Sequence, residues 1–181
     1  MTTANDIERL KQDIFSENSE ISWNAMEQLS LVEGSAAFEF FVSLLNVQNN
    51  VIRNIGANGL REMSVNNTLG DNDPVTPLFK TIFKAECDGN TGSLVFALAF
   101  MDCRSRLKEL FIILFGNFSY ESKIHVSNIL GNHLFEFTRQ HILDIQQMWE
   151  DLKTHPEKCP DFESNKKMIQ DNVESYLAYL Q

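Results

Sequence analysis

Apolar residues recur at helical spacing along almost the whole chain. In DIERLKQDIF, Ile7, Leu10, Ile14 and Phe15 stand at i, i+3, i+7 and i+8, the stripe of an amphipathic helix. After the polar stretch SENSE, the segment ISWNAMEQLSLV repeats the pattern with Ile21, Ala25, Leu29 and Val32. Gly34 halts that helix, and Ser35 is placed to cap the next, SAAFEFFVSLLN. The polar turn VQNN then leads into VIRNIGANGLREM. Thr76 as N-cap with Pro77 at the first helical position opens PLFKTIFKAE, and Cys-Asp-Gly-Asn (87–90) reads as a turn. Helical patterns follow in TGSLVFALAFMD, RLKELFIILF and ESKIHVSNILGNHLF, with the turn GNFSY before the last of these. Thr138 is placed to cap RQHILDIQQMWEDLK. The loop THPEKCPDFES holds two prolines, and a final helix runs from about Asn165 to Leu180. No stretch alternates apolar and polar residues between hairpin turns. The pattern predicts an all-α chain of about ten helices.

The helices also come in pairs that resemble one another. In each second helix a small or apolar doublet precedes an apolar anchor: Ala25-Met26 then Leu29, Gly56-Ala57 then Leu60, Phe96-Ala97 then Phe100, Val126-Ser127 then Leu130. Two helices per 30 to 40 residues is the period of a helical repeat. VIRNIGANGLREM carries two glycines inside its pattern, although a helical glycine costs about 1 kcal/mol relative to alanine. A phosphate cradle would need glycines in a loop after a strand, and no strand precedes these. With Ile52 at 0° and about 100° per residue, Gly56 falls at about 40° and Gly59 at about 340°, both on the apolar face. Close approach of a neighbouring helix is therefore the expected reason for both. Arg53, Asn54, Asn58 and Arg61 fall on the other side, from about 100° to about 240°.

VIRNIGANGLREM resembles the second helix of a HEAT repeat, with Ile52 and Arg53 before the small pair Gly56-Ala57 and then Leu60. NSEISWNAMEQLSLV is a weaker match, with Trp23 where the arginine would fall. The resemblance covers roughly residues 5–134. It implies an α-solenoid of antiparallel helix pairs forming a single domain over 1–181, with about four degenerate repeats in 1–134 and a capping helix pair in 135–181. HEAT-like modules are mostly protein-binding scaffolds. Short acidic ones are similar to bacterial immunity proteins that neutralise nuclease or other toxin domains, including those of contact-dependent growth inhibition.

Charge sharpens that expectation. The net charge is −10, and residues 1–39 carry 8 acidic against 2 basic side chains while the middle of the chain is balanced. Such a surface repels nucleic acid and steers a cationic protein, although ordinary solubilising charge has the same composition. Cys87, Cys103 and Cys159 are odd in number and contain no C-x-x-C pair, which suits buried thiols in a reducing cytoplasm. MTTANDIERLKQDIF lacks the features of a signal peptide, and the apolar region 94–115 is interrupted by Asp102, Arg104, Arg106, Lys108 and Glu109. The expected protein is cytoplasmic, with no membrane association.

Motifs for chemistry are absent. His125, His133 and His141 are eight apart, which is not ligand spacing on one helix, and His155 lies in a loop. Neither G-x-S-x-G nor S-x-x-K occurs. The carboxylate pairs Glu150-Asp151 and Asp71/Asp73 read as solvated surface. A HEAT-like glycosylase would need a basic groove, whereas Arg104, Arg106 and Lys108 sit beside Asp102 and Glu109 in what reads as a turn between helices. The sequence thus predicts no enzyme, no metal and no cofactor.

What remains is surface recognition. In stacked helix pairs the second helices line the concave side, and the expected partner-binding residues there are Glu20, Trp23, Glu27, Arg53, Asn54, Arg61, Lys123, His125 and Asn128. An aromatic among acids, Trp23 near Glu20 and Glu27, suits a hot spot for a basic partner. Filling a gap near the N-terminal end would equally account for Trp23. The expectation is an inhibitor that occludes the active site of a cognate basic toxin domain, a monomer until the complex forms. The alternatives are a generic HEAT-like adaptor and, from another class, a HEAT-like lyase or glycosylase.

Overall fold

The computed structural model describes residues 3–84 and 90–180, and every regular element among these is helical. Ten α-helices follow in order: α1 (Ala4–Asp13), α2 (Ser19–Ser30), α3 (Ser35–Leu44), α4 (Asn50–Val65), α5 (Val75–Lys84), α6 (Gly92–Leu98), α7 (Leu107–Phe115), α8 (Tyr120–Asn132), α9 (Arg139–Thr154) and α10 (Phe162–Leu177). Short 3₁₀ turns occupy Pro156–Lys158 and Ala178–Leu180. The all-α expectation is met, and the chain divides into two compact units, Met1–Phe83 and Lys84–Gln181.

Local sequence explains most helix starts. Thr3 and Asp6 form a reciprocal capping box on α1, and Thr138 with His141 does the same on α9. Asn18 and Asn49 cap α2 and α4 with their side-chain oxygens. Two starts differ from expectation. Ser35 is the first residue of α3, not its cap. The cap is Gly34, at φ 107°, a backbone conformation that favours glycine. Helix α5 begins before Thr76, because the Asp73 carboxylate accepts hydrogen bonds from the backbone N–H of Val75 (2.9 Å) and Thr76 (3.3 Å). The expected turn at 87–90 lies outside the described residues except for Asn90.

In the first unit α1 packs on α2 and α3 on α4, and the second helices α2 and α4 pack on each other. This is the neighbour relation that a helical repeat requires. The two glycines of α4 sit at the closest contact. A Cβ on Gly56 would lie 2.8 Å from the Phe41 carbonyl oxygen and 2.9 Å from Leu44 Cβ, and a Cβ on Gly59 would collide with the Phe41 ring. Phe41, Ala57, Leu60 and Met63 are fully buried around this contact. Thr68 then ties the end of α4 to that of α2 by donating to the Ser30 carbonyl oxygen (2.6 Å).

The second unit repeats the scheme. Helix α7 pairs with α8 and α9 with α10, while α7 also packs on α9 and α8 on α10, and α6 lies against α8. Its centre is aromatic and aliphatic: Phe111, Ile113, Leu114, Val126, Ile145, Ile169 and Val173 are all fully buried. Tyr176 on α10 stands edge-on to Phe111, Phe135 and Phe137, and its hydroxyl donates to the Leu130 carbonyl oxygen of α8 (3.0 Å). Burial pushes the phenol of Tyr176 up to about 12, with Tyr179 adding to the effect.

Two predictions follow from this packing. Gly56→Ala should lower stability in urea denaturation by about 1–3 kcal/mol, because overpacking against backbone outweighs the roughly 1 kcal/mol gain in helix propensity. Gly131 of α8 has nothing within 4 Å of its added Cβ, so Gly131→Ala should instead stabilise, by about 0.5–1 kcal/mol. Equal gains at both positions would rule out the close contact. The Tyr176 phenol has a folded-state value raised above that of the unfolded chain. Its contribution to stability is therefore complete below pH 10.0 and is lost as pH rises towards about 12. Tyr176→Phe should flatten that alkaline decline while costing about 1 kcal/mol at neutral pH for the lost hydrogen bond.

Candidate functional site

A solvent-open hollow of the first unit lies where the C-terminal end of α1, the turn after it, the first half of α2 and the first half of α4 meet. It has a volume of about 420 Å³. Ile14, Phe15, Ile52 and Ile55 form its apolar lining, with Trp23 and Val51 at its rim. Phe15, Trp23 and Val51 are 51, 44 and 69% exposed, so three large apolar side chains face solvent around one groove. Polar lining comes from Ser16, Glu17, Ser19, Ser22, Asn54 and Asn58. Ser22 is already committed, its hydroxyl donating to the Ile14 carbonyl oxygen (2.6 Å). Asn54 is not. Its Oδ1 is buried and has no hydrogen-bond partner among the described residues.

Local sequence builds each wall. Helix α1 ends in the short turn SENS, whose Asn18 caps α2 by accepting from the Glu20 N–H (2.9 Å). This turn leaves Phe15 at the surface, edge-to-face with Phe40 (ring centroids 6.3 Å apart). On α2, Trp23 faces outwards and its indole N–H donates to Glu27 Oε1 (2.9 Å), one helical turn further on. The α3–α4 contact at Gly56 and Gly59 holds α4 so that its N-terminal half presents Val51, Asn54, Ile55 and Asn58 to the groove.

The predicted partner-binding residues separate on inspection. Glu20, Trp23 and Glu27 are exposed on α2, and Asn54 is half-buried in the groove beside Trp23. Arg53 is not on an open face. It is 6% exposed and donates to Asn50 Oδ1. Its position about 20° from Leu60 on the helical wheel already put it at the margin of the apolar face. Arg61 is half-buried and paired with Glu62. Lys123 is the largest departure: it is fully buried, with Nζ 3.0 Å from Cys159 Sγ and 3.8 Å from an Asp161 carboxylate oxygen. On α8 it lies about 20° from Leu130, again on the apolar side. His125 is half-buried against the Phe96 ring (5.0 Å) with Glu121 at 3.8 Å, whereas Asn128 is exposed. The last three belong to the second unit, and the other six to the first.

Sequence reading missed Phe15, Glu17, Val51 and Ile55 as surface residues. Phe15 reads from spacing as part of the apolar stripe of its helix. The available signal was the polar stretch SENSE directly after Phe15, which leaves that side chain no helix of its own to lie under.

Other candidate groups are engaged locally. Arg104, Arg106 and Lys108 each face an acid: Asp102 at 2.6 Å, Glu109 at 3.0 Å and Asp144 at 2.9 Å. Hydrogen bonds from Arg104 hold the Asp102 carboxyl down to about 2. His133 contacts the Ala99 carbonyl oxygen (3.0 Å), His141 belongs to its capping box and His155 faces Glu157 (3.3 Å). Glu150 and Asp151 face Lys153 and Lys158. Among the described residues no group of three or more His, Cys, Asp or Glu side chains is placed to hold a metal ion. No helix among them is long and apolar enough to cross a membrane. No family model, curated protein or solved structure matches the chain.

Burial separates the two groups of predicted site residues experimentally. Trp23→Ala should change unfolding free energy by no more than about 0.5 kcal/mol, as expected of an exposed side chain. Lys123→Ala should cost about 2–4 kcal/mol, because it opens a cavity and strips a buried polar contact. Urea denaturation of the two variants measures the difference, and equal costs would contradict the assigned burial.

Proposed function

We propose that the chain is a protein-binding inhibitor, an immunity protein that neutralises a cognate basic toxin domain by seating a cationic segment of it on the first unit. The observation that carries this reading is the composition of the groove. An apolar lining of Ile14, Phe15, Ile52 and Ile55 stands beside acceptors at Glu17 and at the unpartnered, buried Asn54 Oδ1. A lysine or arginine side chain suits such a site: its methylene stem lies on apolar surface while its head group donates to the acceptors.

The surrounding charge supports the same class of partner. The groove belongs to the most acidic stretch of the chain, residues 1–39 with 8 acidic against 2 basic side chains. Exposed Glu20 and Glu27 flank Trp23 on α2, so a negative field surrounds the aromatic anchor. That field would accelerate encounter with a basic protein, while Trp23, Phe15 and Val51 would supply the desolvated contact that slows dissociation. Inhibition then needs no chemistry from this chain: a bound protein of domain size covers the toxin's active site sterically.

The direct test uses the protein encoded in the adjacent reading frame, purified and mixed with this chain in a stopped-flow instrument. Association should be at least about 10-fold slower at high than at low ionic strength. Trp23→Ala should weaken the complex by about 30-fold, the loss of one hot spot worth about 2 kcal/mol. An association rate indifferent to salt, together with full affinity in Trp23→Ala, would remove the proposal.

A further inference from the structure

A fully buried lysine is uncommon, because removing an ammonium group from water is costly unless it is paired. Lys123 is 0% exposed, and the nearest polar atom to its Nζ is a thiol sulfur, Cys159 Sγ, at 3.0 Å. Cys159 is also fully buried and is not in a disulfide. An Asp161 oxygen stands 3.8 Å from the same nitrogen, on a side chain that is 43% exposed. A nucleophilic nitrogen and an oxidisable sulfur therefore touch in a dry site, with a carboxylate connecting the nitrogen to solvent. The partner-binding reading makes no use of this arrangement.

We propose that Lys123 and Cys159 form an oxidative modification site, in which a peroxide joins the two side chains through a reversible sulfur–nitrogen bond. The oxidant is hydrogen peroxide or an organic hydroperoxide. In the first step the sulfur attacks one peroxide oxygen, the O–O bond breaks, and Cys159 becomes a sulfenic acid with release of water (or an alcohol). Sulfur is oxidised by two electrons and the peroxide is reduced by two. In the second step Lys123 gives a proton to the Asp161 carboxylate, and the Nζ lone pair attacks the sulfenic sulfur. The S–O bond breaks, and the departing hydroxide leaves as water with a further proton from the nitrogen. Asp161 returns its proton to solvent. The product is a sulfenamide, and two thiols reverse it by reducing the S–N bond and being oxidised to a disulfide.

Access and restraint both favour this pair. Cys159 lies in a short connection, after the 3₁₀ turn Pro156–Lys158 and before α10, with exposed Lys158 and Pro160 on either side. The connection is held by local backbone bonds, Cys159 N–H to the Pro156 oxygen (3.0 Å) and Phe162 N–H to the Cys159 oxygen (2.8 Å). Opening such a segment exposes the thiol without unfolding α8 or α10. Lys123 is carried by α8, so its nitrogen stays in place when the connection recloses. Cys103 of the same unit is also buried, and its thiol contacts the Leu98 carbonyl oxygen (3.5 Å), which cannot trap a sulfenic acid. The link would fasten α8 to the connection that leads into α10.

The test treats the full chain with hydrogen peroxide, denatures it, blocks free thiols, digests it and maps the peptides by mass spectrometry. The expected result is a Lys123 peptide joined to a Cys159 peptide, with the summed mass less two hydrogens, and separated again by dithiothreitol. Thermal unfolding should shift upwards on oxidation and return on reduction. In Lys123→Arg the linked species should vanish and Cys159 should become reactive towards a sulfenic-acid probe such as dimedone. Finding Cys159 untouched, or taken to sulfinic acid with Lys123 free, in the unaltered chain would overturn the proposal. The wild-type measurement decides the matter even if the variant folds poorly.

Discussion

The approach of α3 to α4 is the constraint from which the first unit is built. Gly56 meets the Phe41 carbonyl oxygen and Gly59 meets the Phe41 ring, so the helices come together at a distance that no side chain larger than hydrogen permits. Glycine at mid-helix weakens the isolated helix, and tertiary packing repays that weakness through the burial of Phe41, Leu44, Ala57, Leu60 and Met63. With α4 fixed from one side, its opposite flank is presented to α2, and Thr68 secures the far ends through the Ser30 carbonyl. The groove is a by-product of this geometry. At the near ends of α2 and α4 the described residues of the first unit leave a gap, with Phe15, Trp23 and Val51 around it.

Polar contacts play the corresponding part in the second unit. Tyr176 reaches the Leu130 carbonyl, Asn172 Nδ2 reaches Ser127 Oγ (2.8 Å) and Thr91 shares a hydrogen bond with Ser122 (2.7 Å). Each joins α8 to another helix or to the start of one. Lys123 adds a fourth such link, to the connection before α10. Helix α8 is thus tied on several sides by groups whose partners are specific atoms. Hydrophobic contact tolerates sliding, whereas satisfied buried hydrogen bonds fix one register. A chain stacked from similar helix pairs gains from such markers, since degenerate apolar faces alone would admit neighbouring registers of similar energy.

Much of this was legible in the sequence, and for a physical reason. Helical periodicity is a local property, so the helices can be read from spacing, and Thr138 is the expected cap that holds, whereas Gly34 and Asp73 act where Ser35 and Thr76 were expected. Angular bookkeeping also located the glycine contact, because the positions of Gly56 and Gly59 on the apolar face depend on α4 alone. The same arithmetic held Arg53 and Lys123 close to Leu60 and Leu130. Arg53 at about 100° reads as the edge of the polar side and Lys123 as an exposed position of a second helix, but nearness to Leu60 and Leu130 is the better guide. Long cationic side chains often end in water, but here both are buried, Arg53 bonded to Asn50 of its own helix and Lys123 set against the connection before α10. The groove could not be read at all. It needs the end of α1 and the start of α4 to meet, although some 35 residues separate Phe15 from Val51, and no local pattern encodes that meeting.

Burial also redraws what a partner could touch. Of the nine residues expected to bind one, Arg53 and Lys123 are inside the protein, where their charge is spent on internal contacts. Removing two cations from the accessible set makes the open surface more acidic than composition alone implies. On the first unit, the charged side chains open around Trp23 are Glu17, Glu20 and Glu27. Every one of these is an acceptor, and Glu27 already accepts from Trp23, which fixes the indole. Carboxylates gathered beside apolar area select against acidic partners as well as attracting basic ones, since an incoming carboxylate would lose its hydration next to like charge. The selectivity expected of this face therefore lies less in any one contact than in the carboxylates of Glu17, Glu20 and Glu27 gathered around Trp23.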